Sequence, residues 1–251
     1  MASTKTSSWH SGGIVAAAVA IFIALLFITA KAASCECIKG ACYNGYGVFV
    51  FSSGEKYEGS FKEGNPSGDG TISYPNGDQY TGQLVSGVAF GTGTLSFADG
   101  QKYEGEFKDG KRHGLGMNTW PSGDKFVGRS VDGVKRGTGS YYYSNGDRYE
   151  GQFSDDKFNG EGTYYFANGD KYTGEFVDNL FSGNGILIYA DGSRYEGHFE
   201  NDKRNGPGTL TLRDGQTQEG IFLDGLMVEG KDDTENQTTG NNATPAWPPM
   251  P

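Results

Sequence analysis

The stretch Asp147-Arg148-Tyr149-Glu150-Gly151-Gln152-Phe153 decides how this chain reads, because the chain keeps repeating it. Steps of 23 residues from Tyr149 land on Phe126, Tyr103, Tyr80 and Tyr57 in one direction, and on Tyr172, Tyr195 and Gln218 in the other. A glycine follows two residues after each, from Gly59 to Gly220. A fixed period in the twenties marks an array of stacked units. Tyr149, Gly151 and Phe153 alternate with polar residues, so they share one face of a strand. Residues 155–160 read as a polar turn, and Gly162, Tyr164 and Phe166 alternate again as a second strand. Asn168-Gly169-Asp170 then turns the chain into the next tyrosine, and the same place holds Asn76-Gly77, Asn145-Gly146 and Asp191-Gly192. Asn-Gly between alternating runs signals a hairpin, because glycine accepts positive φ.

Each unit is therefore a β-hairpin, and hairpins joined by short turns make an antiparallel meander. The fold class is all-β: an elongated, single-layer, twisted antiparallel meander, preceded by one apolar helix. Half units from Gly45 and from Gln218 flank the seven full ones, which gives sixteen strands. At about 4.8 Å per strand the ribbon is roughly 70–80 Å long, and a sheet of that length must twist. A single hairpin cannot bury its aromatic face, so burial requires stacking. The glycine after each tyrosine is expected to leave a gap into which a ring from a neighbouring strand packs. Tyr57, Phe61, Tyr103, Phe107, Tyr149, Phe153, Tyr172, Phe176, Tyr195 and Phe199 line this face as the candidate partner groove.

Tyr149-Glu150-Gly151-Gln152-Phe153, Gly160-x-Gly162-Thr163-Tyr164 and Asn168-Gly169-Asp170-x-Tyr172 closely resemble the MORN (membrane occupation and recognition nexus) repeat. The resemblance spans residues 45–230 and recurs in phase. It implies a single-layer sheet of MORN hairpins that serves as a scaffold, with protein partners or phospholipid contact, and in some members a separate catalytic domain. The unit at Phe126 departs most: Val127 stands for Glu, Ser130 for Phe, and Arg129 intrudes. The groove should be shallower there.

A slower period of 46 residues runs through the array. Five residues after each aromatic the chain reads Lys62, Val85, Lys108, Val131, Ser154, Val177, Glu200, Leu223. Val85, Val131, Val177 and Leu223 thus form a spaced apolar series on the face opposite the tyrosines. Burial within the ribbon and an edge for partner binding or self-association are both open for this series.

Composition excludes several functions. The formal net charge is −10, which argues against nucleic acid as a partner. His113 reads as an exposed turn residue and His198 as a strand residue on the polar face, neither with a nucleophile at a catalytic spacing. Glu58, Glu104, Glu150 and Glu196 recur every second unit, about 19 Å apart by strand spacing, too far for an acid–base pair. No helix follows the Gly-rich runs to bind phosphate, and no acidic set matches a calcium loop. The expectation is a protein that is not an enzyme, with no cofactor, no metal and no catalytic residue. The cysteines Cys35, Cys37 and Cys42 all precede the array, as ordinary thiols or a local disulfide.

The expected segments are a polar N-terminus (1–11), a transmembrane anchor or uncleaved signal (12–31), a Cys-containing linker (32–44), the array (45–230) and a disordered tail (231–251). Residues 12–30 are apolar apart from Thr29, long enough for about 30 Å of hydrocarbon. The localisation expected is a single-pass membrane protein. Secretion after cleavage at Ala30-Lys31-Ala32 and a plastid transit role for the acid-free N-terminus are the alternatives. Two sequons, at Asn236 and Asn242, and Trp247-Pro248-Pro249 lie in the tail. The function expected is a membrane-attached scaffold or adaptor binding a protein partner, with homo-oligomer formation open. A phospholipid-contacting module is the alternative, with the basic turns Lys111-Arg112, Lys135-Arg136 and Lys203-Arg204 as its candidates.

Overall fold

The computed structural model describes residues 35–230. The apolar segment, the sequons and the Trp-Pro-Pro motif lie outside the described residues. Eighteen strands follow one another without a helix among the described residues. They are β1 (Glu36–Gly40), β2 (Gly45–Val50), β3 (Lys56–Lys62), β4 (Asn65–Ser73), β5 (Gln79–Val85), β6 (Val88–Ser96), β7 (Lys102–Lys108), β8 (Lys111–Thr119) and β9 (Lys125–Val131). They continue as β10 (Val134–Tyr142), β11 (Arg148–Ser154), β12 (Lys157–Tyr165), β13 (Lys171–Val177), β14 (Leu180–Ile188), β15 (Arg194–Glu200), β16 (Lys203–Thr211), β17 (Thr217–Leu223) and β18 (Leu226–Gly230). Each pairs antiparallel with its sequence neighbours, so one open sheet runs in chain order from β1 to β18.

Eighteen strands rather than sixteen arise because both ends extend the array. β1 falls inside the stretch read as linker and pairs with β2. A Cys37–Cys42 disulfide with Cα atoms 6.0 Å apart closes the turn between them, and Cys35 is a free, exposed thiol. At the other end, β18 completes a hairpin with β17.

The polar stretch at residues 155–160 is not one turn. Asp155 and Asp156 form a two-residue turn, both with left-handed φ (52° and 68°), which matches the twist of the flanking strands. The strand resumes at Lys157, but its register shifts: Gly151 faces Gly162 while Phe153 faces Phe158. The extra residues form a bulge around Gly160 at φ 97°. The Asn-Gly sites form three-residue loops instead. Gly169 donates its N–H to the Phe166 carbonyl at 3.0 Å, and Phe166 donates to Asp170 at 2.9 Å.

The core is a layer of rings laid flat on the sheet. Each tyrosine ring covers its own glycine two residues on and the glycine opposite. A Cβ on Gly151 would lie 2.6 Å from both the Gly162 Cα and the Tyr149 Cζ. The expected gap is therefore filled from within the strand, not by a ring from the next one. The phenol reaches the carbonyl three residues ahead: Tyr57 to Ser60 at 2.8 Å, Tyr149 to Gln152 at 2.8 Å, Tyr172 to Glu175 at 3.0 Å. The tyrosine buries its ring and still satisfies its hydroxyl.

Candidate functional site

The ten groove aromatics are the interior of this layer. Tyr57, Tyr103, Tyr149, Tyr172 and Tyr195 are 0% exposed, and Phe61, Phe107, Phe153, Phe176 and Phe199 are buried. Each of these tyrosines meets the Phe of its own unit edge-on, as Tyr149 meets Phe153 at 5.3 Å, and Tyr149, Tyr172 and Tyr195 also meet the Phe of the next, as Tyr149 meets Phe176 at 4.9 Å. Burial pushes the Tyr57 and Tyr80 phenols up to about 12. The ring chain breaks where Ser130 stands in place of Phe, and the buried aromatics divide there into two clusters.

A position that sequence reasoning missed lies nine residues after each aromatic and faces its Phe across the hairpin. Phe158 and Phe181 stack flat on Tyr149 and Tyr172 at 3.7 Å. In other units this place holds Pro66, Ala89, Arg112, Lys135 and Arg204. One cation of each basic turn thus lies against the core rings, and the other is exposed. Arg112 lies 5.8 Å from the Tyr103 ring centre and donates to Asn118 Oδ1 at 2.8 Å and to the Gly133 carbonyl at 3.1 Å. Lys135 sits 5.5 Å from both the Trp120 and Phe126 ring centres, and desolvation lowers its pKa against the opposing pull of Asp156. Arg204 lies over Tyr195 and Phe222 and donates to the Gly225 carbonyl. Of the remaining turn cations, Arg136 pairs with Asp155 at 2.5 Å and Lys203 with Asp224 at 2.9 Å.

The apolar series lies at the hairpin tips. Val85 pairs with Val88, Val131 with Val134, Val177 with Leu180 and Leu223 with Leu226, each pair flanking a two-residue turn. Val85, Val177 and Leu223 are 57%, 50% and 55% exposed, whereas Val131 is half-buried. The alternate tips carry polar pairs: Lys62 with Asn65, Lys108 with Lys111, Ser154 with Lys157 and Glu200 with Lys203.

The face opposite the tyrosines is mainly polar. Glu58, Glu104, Glu150 and Glu196 stand in one cross-strand ladder, separated by Thr71, Thr81, Thr94, Thr163 and Thr173 among others. The ladder turns apolar at Met117 and Val127, where an open depression of about 730 Å³ forms. His113 belongs to β8, half-buried, 3.7 Å from Asp132, and not to a turn. His198 lies on β15 with Nδ1 3.1 Å from the Asn205 carbonyl. Among the described residues no group of three or more His, Cys, Asp or Glu could hold a metal, and no helix is long and apolar enough to cross a membrane.

No curated protein sequence matches the chain. Among solved structures, the TCP10 domain of Danio rerio CPAP is similar at 13% identity, covering 76% of this chain and 90% of that one, with a TM-score of 0.44. The TCP domain of Drosophila melanogaster SAS-4 (dCPAP), solved with a proline-rich motif of Ana2 (dSTIL), is similar at 18% identity, covering 63% and 86%, with a TM-score of 0.41. The MORN repeat profile matches eight consecutive units: 43–56, 57–79, 80–102, 103–125, 126–148, 149–171, 172–194 and 195–217. The chain belongs to the MORN repeat family.

Proposed function

We propose that this MORN repeat protein is a non-enzymatic, membrane-attached adaptor that holds a protein partner along its apolar hairpin tips. The observation that carries this reading is the exposure of Val85, Val88, Val177, Leu223 and Leu226 at alternate tips. Apolar side chains spaced along one edge suit repeated contacts with a partner. The buried rings are satisfied internally, whereas the apolar tip pairs recur at every second hairpin along one edge. The apolar residues 12–30 supply the membrane attachment in this reading. It is tested by alkaline carbonate extraction of the full-length chain together with sequencing of its mature N-terminus.

The tip surface is tested by Val85→Glu, Val177→Glu and Leu223→Glu in one full-length chain. Glu200 already occupies the equivalent place, so the fold accepts the change. Affinity-purified complexes should shrink to the size of the adaptor alone while the melting temperature holds. Complexes of unchanged size would overturn the reading, and so would losses that track unfolding. Phospholipid contact through the basic turns is the weaker alternative, because Arg112, Lys135 and Arg204 are spent on rings and carbonyls. Neutralising the exposed Lys111, Arg136 and Lys203 should therefore leave flotation with anionic vesicles unchanged.

A further inference from the structure

The residue just before each aromatic is a cation in five successive hairpins: Lys102, Lys125, Arg148, Lys171 and Arg194, of which Lys102 and Arg194 at the two ends are paired with Glu104 and Glu196. These side chains lie on the face opposite the tyrosines of the core. Along the cross-strand ladder Lys125 faces Tyr142, Tyr142 faces Arg148, Arg148 faces Tyr165, and Tyr165 faces Lys171. The middle of the row thus alternates charge and ring over five adjacent strands. Lys125 Nζ lies 4.8 Å from the centre of Tyr142, and the Arg148 guanidinium 4.1 Å from the centre of Tyr165. Both contacts hold long side chains down across the sheet and keep the charges in line.

The charges are only partly answered. Arg148 meets Glu150 at 3.5 Å, in an exposed pair of small worth. Lys125 and Lys171 have Val127 and Thr173 two residues ahead, where the units at Tyr57, Tyr103, Tyr149 and Tyr195 carry Glu, and neither forms an ion pair among the described residues. Three cations therefore stand against one carboxylate, in a chain whose net charge is −10.

Geometry narrows what could lie there. β9 to β13 are paired on both sides, so a ligand cannot add as a strand and must dock through side chains. A flat anionic membrane would also press against the neighbouring Glu104, Glu150 and Glu196 row, whereas a thin linear ligand would not. Successive cations lie two strands apart, about 9.6 Å. A polyproline II helix turns once every three residues, about 9.3 Å, and has no internal hydrogen bonds to break. A carboxylate at every third residue would meet each cation in turn, with prolines against Tyr142 and Tyr165.

We propose that Lys125, Arg148 and Lys171, with Tyr142 and Tyr165 between them, form a docking row for a polyproline II segment carrying a carboxylate at every third residue. The test uses the full-length chain and a labelled (Glu-Pro-Pro)₄ peptide followed by fluorescence anisotropy. Its control has the same composition with all four Glu at one end. The periodic peptide should bind at least tenfold more tightly than the control. Lys125→Gln with Lys171→Gln should weaken it at least tenfold, and Gln79 shows that the repeat accepts Gln at this place. Equal binding of the two peptides would overturn the proposal. So would a variant that binds as the parent does, or tighter binding of a carboxylated polysaccharide than of the peptide.

Discussion

At the scale of single residues, the fold rests on a tyrosine lying over two facing glycines. The glycines do different work in different places. At Gly151 a methyl group would collide with the Tyr149 ring and the Gly162 backbone. Gly151→Ala should cost about 3 kcal/mol in denaturant unfolding, because ring or strand must move. Gly192 has open space around its would-be Cβ, but its φ is +88°. Gly192→Ala should cost only about 1 kcal/mol, for the left-handed backbone alone. The turn residue Asp156 tolerates φ 68° because its carboxylate accepts the Lys135 N–H at 3.0 Å, while its own N–H donates to the Lys135 carbonyl at 3.3 Å. Asp156→Ala should therefore be more destabilising than Asp156→Gly, since alanine loses the bond and keeps the strain. Comparing the two unfolding midpoints checks this.

At the scale of the hairpin, much was legible in the sequence, for an identifiable reason. Alternation of Tyr149, Gly151 and Phe153 is a local signal, and the loop at Asn168-Gly169 announces itself by residue type. The tight turn hides at Asp155-Asp156, which lacks the glycine that Asp109-Gly110 and Asp132-Gly133 carry at the same place. The bulge hides because its extra residues break the alternation that would have marked the strand. The cations at Arg112 and Arg204 look like solvated turn residues in a string of letters. Only the register, which sets Arg112 opposite Phe107 and Arg204 opposite Phe199, places them over rings. The glutamate that caps the bulge was also invisible, as with Glu106 accepting the Leu115 N–H at 3.0 Å and Glu175 accepting the Asn184 N–H at 3.1 Å. The tip series could be read from its 46-residue beat, but not the half-burial of Val131.

At the scale of the whole sheet, the ring layer divides at Ser130, and its two parts are unequal. The C-terminal cluster has Phe158 and Phe181 stacked on tyrosines, where the N-terminal cluster has Pro66 and Ala89. In a linear array, stability is a sum of unit and neighbour contributions. Amides of β3 to β6 should thus exchange hydrogen before those of β11 to β14, as mass spectrometry of peptic fragments can show. Alkaline pH should unfold the sheet. The Tyr57, Tyr80 and Tyr195 phenols titrate near 12 when folded and near 10 when unfolded. Their contribution is complete below pH 10 and is lost as pH rises toward 12, because the unfolded chain gives up the proton first. Circular dichroism should show the loss together with tyrosinate absorbance.

Strictly sequential pairing has a genetic consequence. Since no strand pairs its backbone beyond its neighbours, excising one whole hairpin would leave every remaining seam able to close. The same excision would bring two like tips side by side and put everything downstream out of step. Loss or duplication of hairpins in pairs would change the reach of the molecule while keeping its pattern of sticky and wettable tips. Heritable variation in length should therefore be tolerated most readily in even steps.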